Sequence, residues 1–288
     1  MEMIGLHGVD LVKHPKLLNA IQLFGWFSIF FLFVTEGSFI IGNCNDVLAA
    51  TEAGSAMFTE FLTLSKLAAI YFSKRKINVL IDEMRKMSAA SEVLYPEEIK
   101  WVKKVDRTVT TFFLICGSST GVGLDSLLFS MCLSIGIHYD LLKKSFDGDK
   151  AKFVTTHQKL IDFTRRLSDV FRSVVFFDFA VTAIILCVTG FQVLISDSFR
   201  QRLIAVFLGF SVLTNLFLLA LGGHILTEKG LSLAEDIYEQ DKDMVIIIAR
   251  SQVPSEIDGW FYKANLATFG RVLSSTSSFI AVLKSFLD

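Results

Sequence analysis

SVVFFDFAVTAIILCVTGFQVLIS, residues 173–196, decides how the rest of the chain is read. It holds one charge, Asp178, and no proline. A helix needs about 20 apolar residues to cross roughly 30 Å of hydrocarbon, and this block supplies them. The two-residue alternation of a barrel strand is absent, and lipid leaves only helices or closed barrels, so the expectation is a membrane-crossing helix. A second strong block, 202–226, follows after the short link DSFRQR (197–202).

Working outward, further apolar blocks cover 23–41, with Glu36 inside, and 47–72, with Glu52, Glu60 and Lys66. Others cover 108–138 and 264–287. The chain is 52% hydrophobic with 28 phenylalanines, above the roughly 45–50% of ordinary soluble domains. The reading is an all-α, polytopic transmembrane bundle forming a single domain over 1–288, with cytoplasmic helical parts at 139–172 and 227–260. Net charge is −1, so nothing recommends nucleic acid as a partner.

Lys and Arg cluster before the first block, between 74 and 107, and between 143 and 166, while the stretch between the first two blocks has none. The positive-inside rule then puts the N-terminus in the cytoplasm. No cleavable leader pattern opens the chain, so the first block is expected to be its own signal-anchor. The block 108–138 sits between two basic stretches. It is therefore expected to enter and leave on the same side, as a shortened hairpin broken at the glycine-rich CGSSTGVG (116–123).

Cys44, Cys116, Cys132 and Cys187 form no C-x-x-C pair and are expected to pack as small hydrophobes. His138, His157 and His224 have no Glu or Cys at metal-ligand spacing, and no catalytic or phosphate-binding motif occurs. No metal, cofactor or enzyme activity is expected. Glu36, Glu60 and Lys66 are expected to pair inside the bundle, and Asp178 and Asn215 to make packing hydrogen bonds. Asp125 is a charged group in an apolar block, which by default is functional or paired. In KFVTTHQKLIDFTRRLSDVF (152–171), Leu160, Phe163, Leu167, Val170 and Phe171 recur at helical spacing. That face, with MVIIIAR (244–250), fits bundling with other subunits below the membrane or lying on anionic lipid.

The last block, TFGRVLSSTSSFIAVLKSF (268–286), is the wettest. Ser274, Ser277, Ser278, Ala281, Lys284 and Ser285 fall on one helical face, with Leu273, Phe279, Ile280, Leu283 and Phe286 around the rest. Such a stripe either lines water in an assembly or allows close helix packing.

Two long motifs resemble the insect odorant receptor family. One is HQKLIDFTRRLSDVFRSVVFFDFAVTAIILCVTGFQVL (157–194), ending in Cys187, Gly190, Phe191 and Gln192. The other is ARSQVP (249–254) followed by FYKANLATFGRVLSSTSSFIAVLKS. Weaker likenesses are LDSLLFSMCLSIGIHYDLLKK (124–144), DVLAATEAGSAMFTEFLTLSK (46–66) and GHILTEKGLSLAEDIYE (223–239). The family has seven spans, so the third and fourth are expected to be fused or shortened here. The resemblance implies a multi-pass plasma-membrane protein of olfactory neuron dendrites: an odour-gated, non-selective cation channel subunit. Such a subunit binds a small volatile hydrophobic odorant and assembles with a co-receptor as a heterotetramer. It implies a pore lined by the final helix, through Ser274, Ser277, Ser278, Ala281, Lys284 and Ser285. It also implies an odour pocket, for which Asp125, Phe58, Phe112 and Phe113 are candidates. A gustatory receptor-type channel, a truncated non-conducting isoform and a membrane transporter are the alternatives.

Overall fold

The computed structural model describes residues 15–94, 120–145, 150–240 and 256–287, with isolated positions 96, 100 and 104. Among the described residues, six helices carry the fold: α1 (Pro15–Gly42), α2 (Val47–Leu94), α3 (Thr120–Lys144), α4 (Lys150–Ile195), α5 (Phe199–Gln240) and α6 (Leu266–Leu287). Between α5 and α6, β1 (Asp258–Gly259) and β2 (Tyr262–Lys263) pair antiparallel, with Asp258 opposite Lys263.

Three of the helices are far longer than a bilayer requires. α2, α4 and α5 have 48, 46 and 42 residues, or roughly 63–72 Å at 1.5 Å per residue. Each joins an apolar stretch to an amphipathic one without a break, and no Pro interrupts the i→i−4 ladder. By length and composition, Lys150–Ile195, Phe199–Leu233 and Leu266–Ser285 suffice to cross a membrane, and Phe27–Gly42 is a shorter apolar helix.

α4 is the hub, packing against α2, α3, α5, α6 and both strands. Its lower half settles one of the open readings. Leu160, Phe163, Leu167, Val170 and Phe171 are all buried in the chain's own core, together with Leu80, Met84, Ile135, Tyr139, Leu226 and Leu233. That face is consumed by α2, α3 and α5 rather than left for other subunits or lipid.

Other expectations are corrected. Of the expected hairpin over 108–138, only the part from Thr120 onward lies within the described residues. Thr120–Lys144 is one continuous helix that takes Gly121 and Gly123 into its first turn, where unpaired N–H groups make glycine cheap. Residues 108–119 lie outside the described residues, as do Phe112, Phe113 and MVIIIAR (244–250). The part 227–260 is not helical to its end, because Asp258–Gly259 is a strand. Trp260 at its turn has φ 61°, the left-handed conformation a tight turn demands and a bulky residue rarely adopts.

Candidate functional site

The last helix is placed by a sequence of local devices. The Ala264 amide donates to the Ile257 carbonyl at 3.0 Å, closing the hairpin onto the start of α6. Asn265 Oδ1 accepts from the Thr268 amide at 2.8 Å, a side-chain cap for the first turn. The entry point needs a glycine on α5: a Cβ at Gly223 would stand 2.0 Å from the Ala264 carbonyl oxygen.

From there α6 buries Thr268, Val272 and Thr276, spaced four apart on one face. Phe269 meets Phe217 of α5 edge-on, with centroids 5.5 Å apart. Higher up, Ile280 lies so close to α4 that a Cβ at Gly190 would stand 2.3 Å from its Cδ1. The Cys187 thiol of α4 lies beside the Thr276 side chain.

Ser274, Ser277, Ser278, Ala281, Lys284 and Ser285 are all exposed, on the face turned away from this seat. Two of the hydroxyls turn back on their own helix: Ser278 Oγ donates to the Ser274 carbonyl at 2.9 Å and Ser285 Oγ to the Val282 carbonyl at 2.7 Å. Phe279 and Val282 are exposed beside them. A helix directed at lipid alone gains nothing from such hydroxyls, whereas one directed at water or at another helix does.

The pocket candidates separate. Phe58 is half-buried and packs with Leu62, Phe177 and Leu208 around Val181, Ile185 and Val212. Asp125 is only 3% exposed and lies in the main core, where its Oδ2 accepts from Lys66 Nζ at 2.6 Å. The same ammonium reaches Asp178 Oδ1 at 2.6 Å. Three helices are thus tied at one point by Lys66 of α2, Asp125 of α3 and Asp178 of α4. Here the expected pairing is corrected. Lys66 does not pair with Glu36 or Glu60, whose Oε2 atoms are buried without a hydrogen-bond partner among the described residues. Asp178 bonds between helices as expected, and its partner is the Lys66 ammonium. The clue lay in the sequence, as lone charges of opposite sign in separate apolar blocks, but choosing partners needs the third dimension.

A further contact joins α4 to α2. Gln192 Nε2 donates to the Thr51 carbonyl at 2.6 Å and to Ser55 Oγ at 3.3 Å.

Comparison with known proteins places this arrangement. A family model described as "7tm Odorant receptor" matches residues 108–277. Odorant receptor 9a of Drosophila melanogaster is 29% identical over 141 residues, 45% of this chain and 36% of that protein. Odorant receptor 22c of the same fly is 29% identical over 146 residues, 48% of this chain and 36% of that protein. The chain therefore aligns with little more than a third of the length of these relatives. Among solved structures, the insect olfactory receptor OR5 from Machilis hrabei matches with a TM-score of 0.68 at 15% identity, covering 88% of this chain and 86% of that one. The same receptor in complex with eugenol matches with a TM-score of 0.60 at 16% identity, covering 95% and 91%. At these identities the likeness shows the fold, an all-α transmembrane bundle.

Proposed function

Because this chain belongs to the 7tm odorant receptor family, we propose that it is an odour-gated, non-selective cation channel subunit acting with a co-receptor in the plasma membrane of olfactory neurons. Its ligand is a small, volatile, hydrophobic molecule; a solved relative is described in complex with eugenol, a compound of that kind. The family is one of receptors, not of enzymes.

The observation that carries the reading is the last helix. One face of α6 is seated on α4 and α5, and the opposite face exposes Ser274, Ser277, Ser278, Ala281, Lys284 and Ser285. In a ring of subunits such faces line a shared aqueous path, and hydroxyls partly replace the hydration shell of a passing ion. Lys284, near the outer end, extends its ammonium into that water. The odour site is proposed around Phe58, in the apolar packing between α2, α4 and α5, with Phe112 and Phe113 as further candidates. Asp125 is committed to Lys66 and serves there to join helices.

The test is odour-evoked current in cells expressing the chain with an insect odorant co-receptor, against co-receptor alone. A Ser278→Cys variant is then treated with a water-soluble thiol reagent. A response profile distinct from the co-receptor's, and lost on treating the variant, supports both the channel and its lining. A profile identical to that of the co-receptor alone, with the chain at the surface, overturns the proposal.

A further inference from the structure

The sequence Cys187-x-x-Gly190-Phe191-Gln192 occupies little more than one turn of α4, yet that turn touches three other helices. Toward α6, the Cys187 thiol lies beside the Thr276 side chain. Gly190 forms a notch for Ile280, whose Cδ1 and Cγ1 would stand 2.3 and 2.9 Å from any Cβ placed there. Toward α2, Gln192 is 4% exposed, and its amide holds the Thr51 carbonyl and the Ser55 hydroxyl. Toward α5, Thr189 Oγ1 would stand 3.3 Å from a Cβ at Gly209.

We infer that this turn is a positioning device: Gly190 and Cys187 set where α6 sits, and Gln192 ties that setting to the outer part of α2. The physical argument is one of stiffness. A Cβ at Gly190 would overlap the outer atoms of the Ile280 side chain, so even a methyl group there forces Ile280 to repack where α6 meets α4. The Gln192 amide is tied to α2 through a buried hydrogen bond, whose loss leaves a polar group unpaired in a dry interior. A shift of α2, on which Phe58 sits about one turn from Ser55, is therefore transmitted through this turn of α4 to the helix with the exposed serine face. The functional meaning of the device rests on the channel reading; the seat itself does not.

The experiment separates the two. In the full-length chain with Cys44, Cys116 and Cys132 replaced by serine, Thr276→Cys places a thiol beside native Cys187. Reconstituted in lipid and exposed to copper–phenanthroline, this variant is expected to form the intramolecular disulfide. Adding Gly190→Ala is expected to slow cross-linking on the order of tenfold, the factor that 1.4 kcal/mol represents. Further adding Ile280→Ala, which removes the obstructing atoms, is expected to restore the rate. Cross-linking unaffected by Gly190→Ala, or slowed without rescue by Ile280→Ala, overturns the seat. In cells with co-receptor, with eugenol among a volatile panel, Gly190→Ala at equal surface abundance is expected to lose evoked current and the double variant to regain it. Restored cross-linking without restored current overturns the transmitting role and leaves the seat. A wild-type chain with no current beyond co-receptor alone refutes the transmitting role together with the proposed function.

Discussion

Lys66 shows how much can hang on a single side chain in an apolar interior. Its ammonium is 2.6 Å from carboxylates on two other helices, and all three side chains are at most 6% exposed. Removing one member of a buried ion pair leaves an uncompensated charge and typically costs about 3–5 kcal/mol. Lys66→Met is accordingly expected to lower the thermal midpoint of the detergent-purified chain sharply and to reduce surface arrival. Replacing only one carboxylate, as in Asp178→Asn, leaves the ammonium with Asp125 and is expected to cost less. Equal midpoints for Lys66→Met and the native chain would mean that water reaches the cluster. The charges themselves were legible in the sequence as intramembrane oddities, but not their partners. Lys66 lies nearer in sequence to Glu60 than to Asp125 or Asp178, yet it bonds to the latter two because α2, α3 and α4 converge there.

Among the elements, α4 offers the sharpest contrast between what stabilises and what merely decorates. Leu167 is fully buried at the crossing of its neighbours. Leu167→Ala is expected to cost about 2–5 kcal/mol, the range for truncating a core leucine. One residue away, Arg166 makes a two-pronged contact with Glu83 of α2, at 2.8 and 2.6 Å. The hydrogen bond to Glu83 pushes the Arg166 pKa further up, so the guanidinium stays charged at any pH the protein meets. Yet the two side chains are 49% and 35% exposed. Water and salt screen such a pair, and Glu83→Gln is expected to cost no more than about 1 kcal/mol. Thermal melts of the two variants side by side check the ranking; a larger effect from Glu83→Gln would reverse it. The periodicity of Leu160, Phe163, Leu167, Val170 and Phe171 announced an amphipathic helix correctly. It did not announce what covers that face, because periodicity records that a stripe is apolar and says nothing about its neighbour. The hairpin at 258–263 escaped notice for another reason: a two-residue ladder has no period, and its turn puts Trp260 where Asn or Gly would be the usual mark.

For the molecule as a whole, the basic stretches predict an N-terminus in the cytoplasm and an α4–α5 link on the opposite side. An epitope in the link 197–202 is expected to be labelled in intact cells, and one at the N-terminus only after permeabilisation. The reverse pattern would invert the proposed orientation. The exposed serine face of α6 makes sense only in company. One subunit offers Ser274, Ser277, Ser278, Ala281, Lys284 and Ser285 to the outside, and under the proposed function a closed ring of such faces would turn that outside into a channel. Six blocks of apolar sequence, the serine stripe and the family motifs were all readable before any coordinates. The shape of the block around Gly121 was not, since glycine marks a break and a helix start alike.

Composition, the length of the apolar blocks and the placing of Lys and Arg were enough to make this chain an α-helical membrane bundle, because bilayer thickness and backbone hydrogen bonding leave few alternatives. The residues that repeat at helical spacing were likewise enough to draw the wet stripe of the last helix. Which helix meets which came only with the tertiary structure. Lys66 finds Asp125 and Asp178, Gly190 receives Ile280, and Gln192 reaches Thr51 across separations of 59 to 141 residues. Contacts of that kind depend on where whole helices lie relative to one another, and that is settled by the sum of many packing choices.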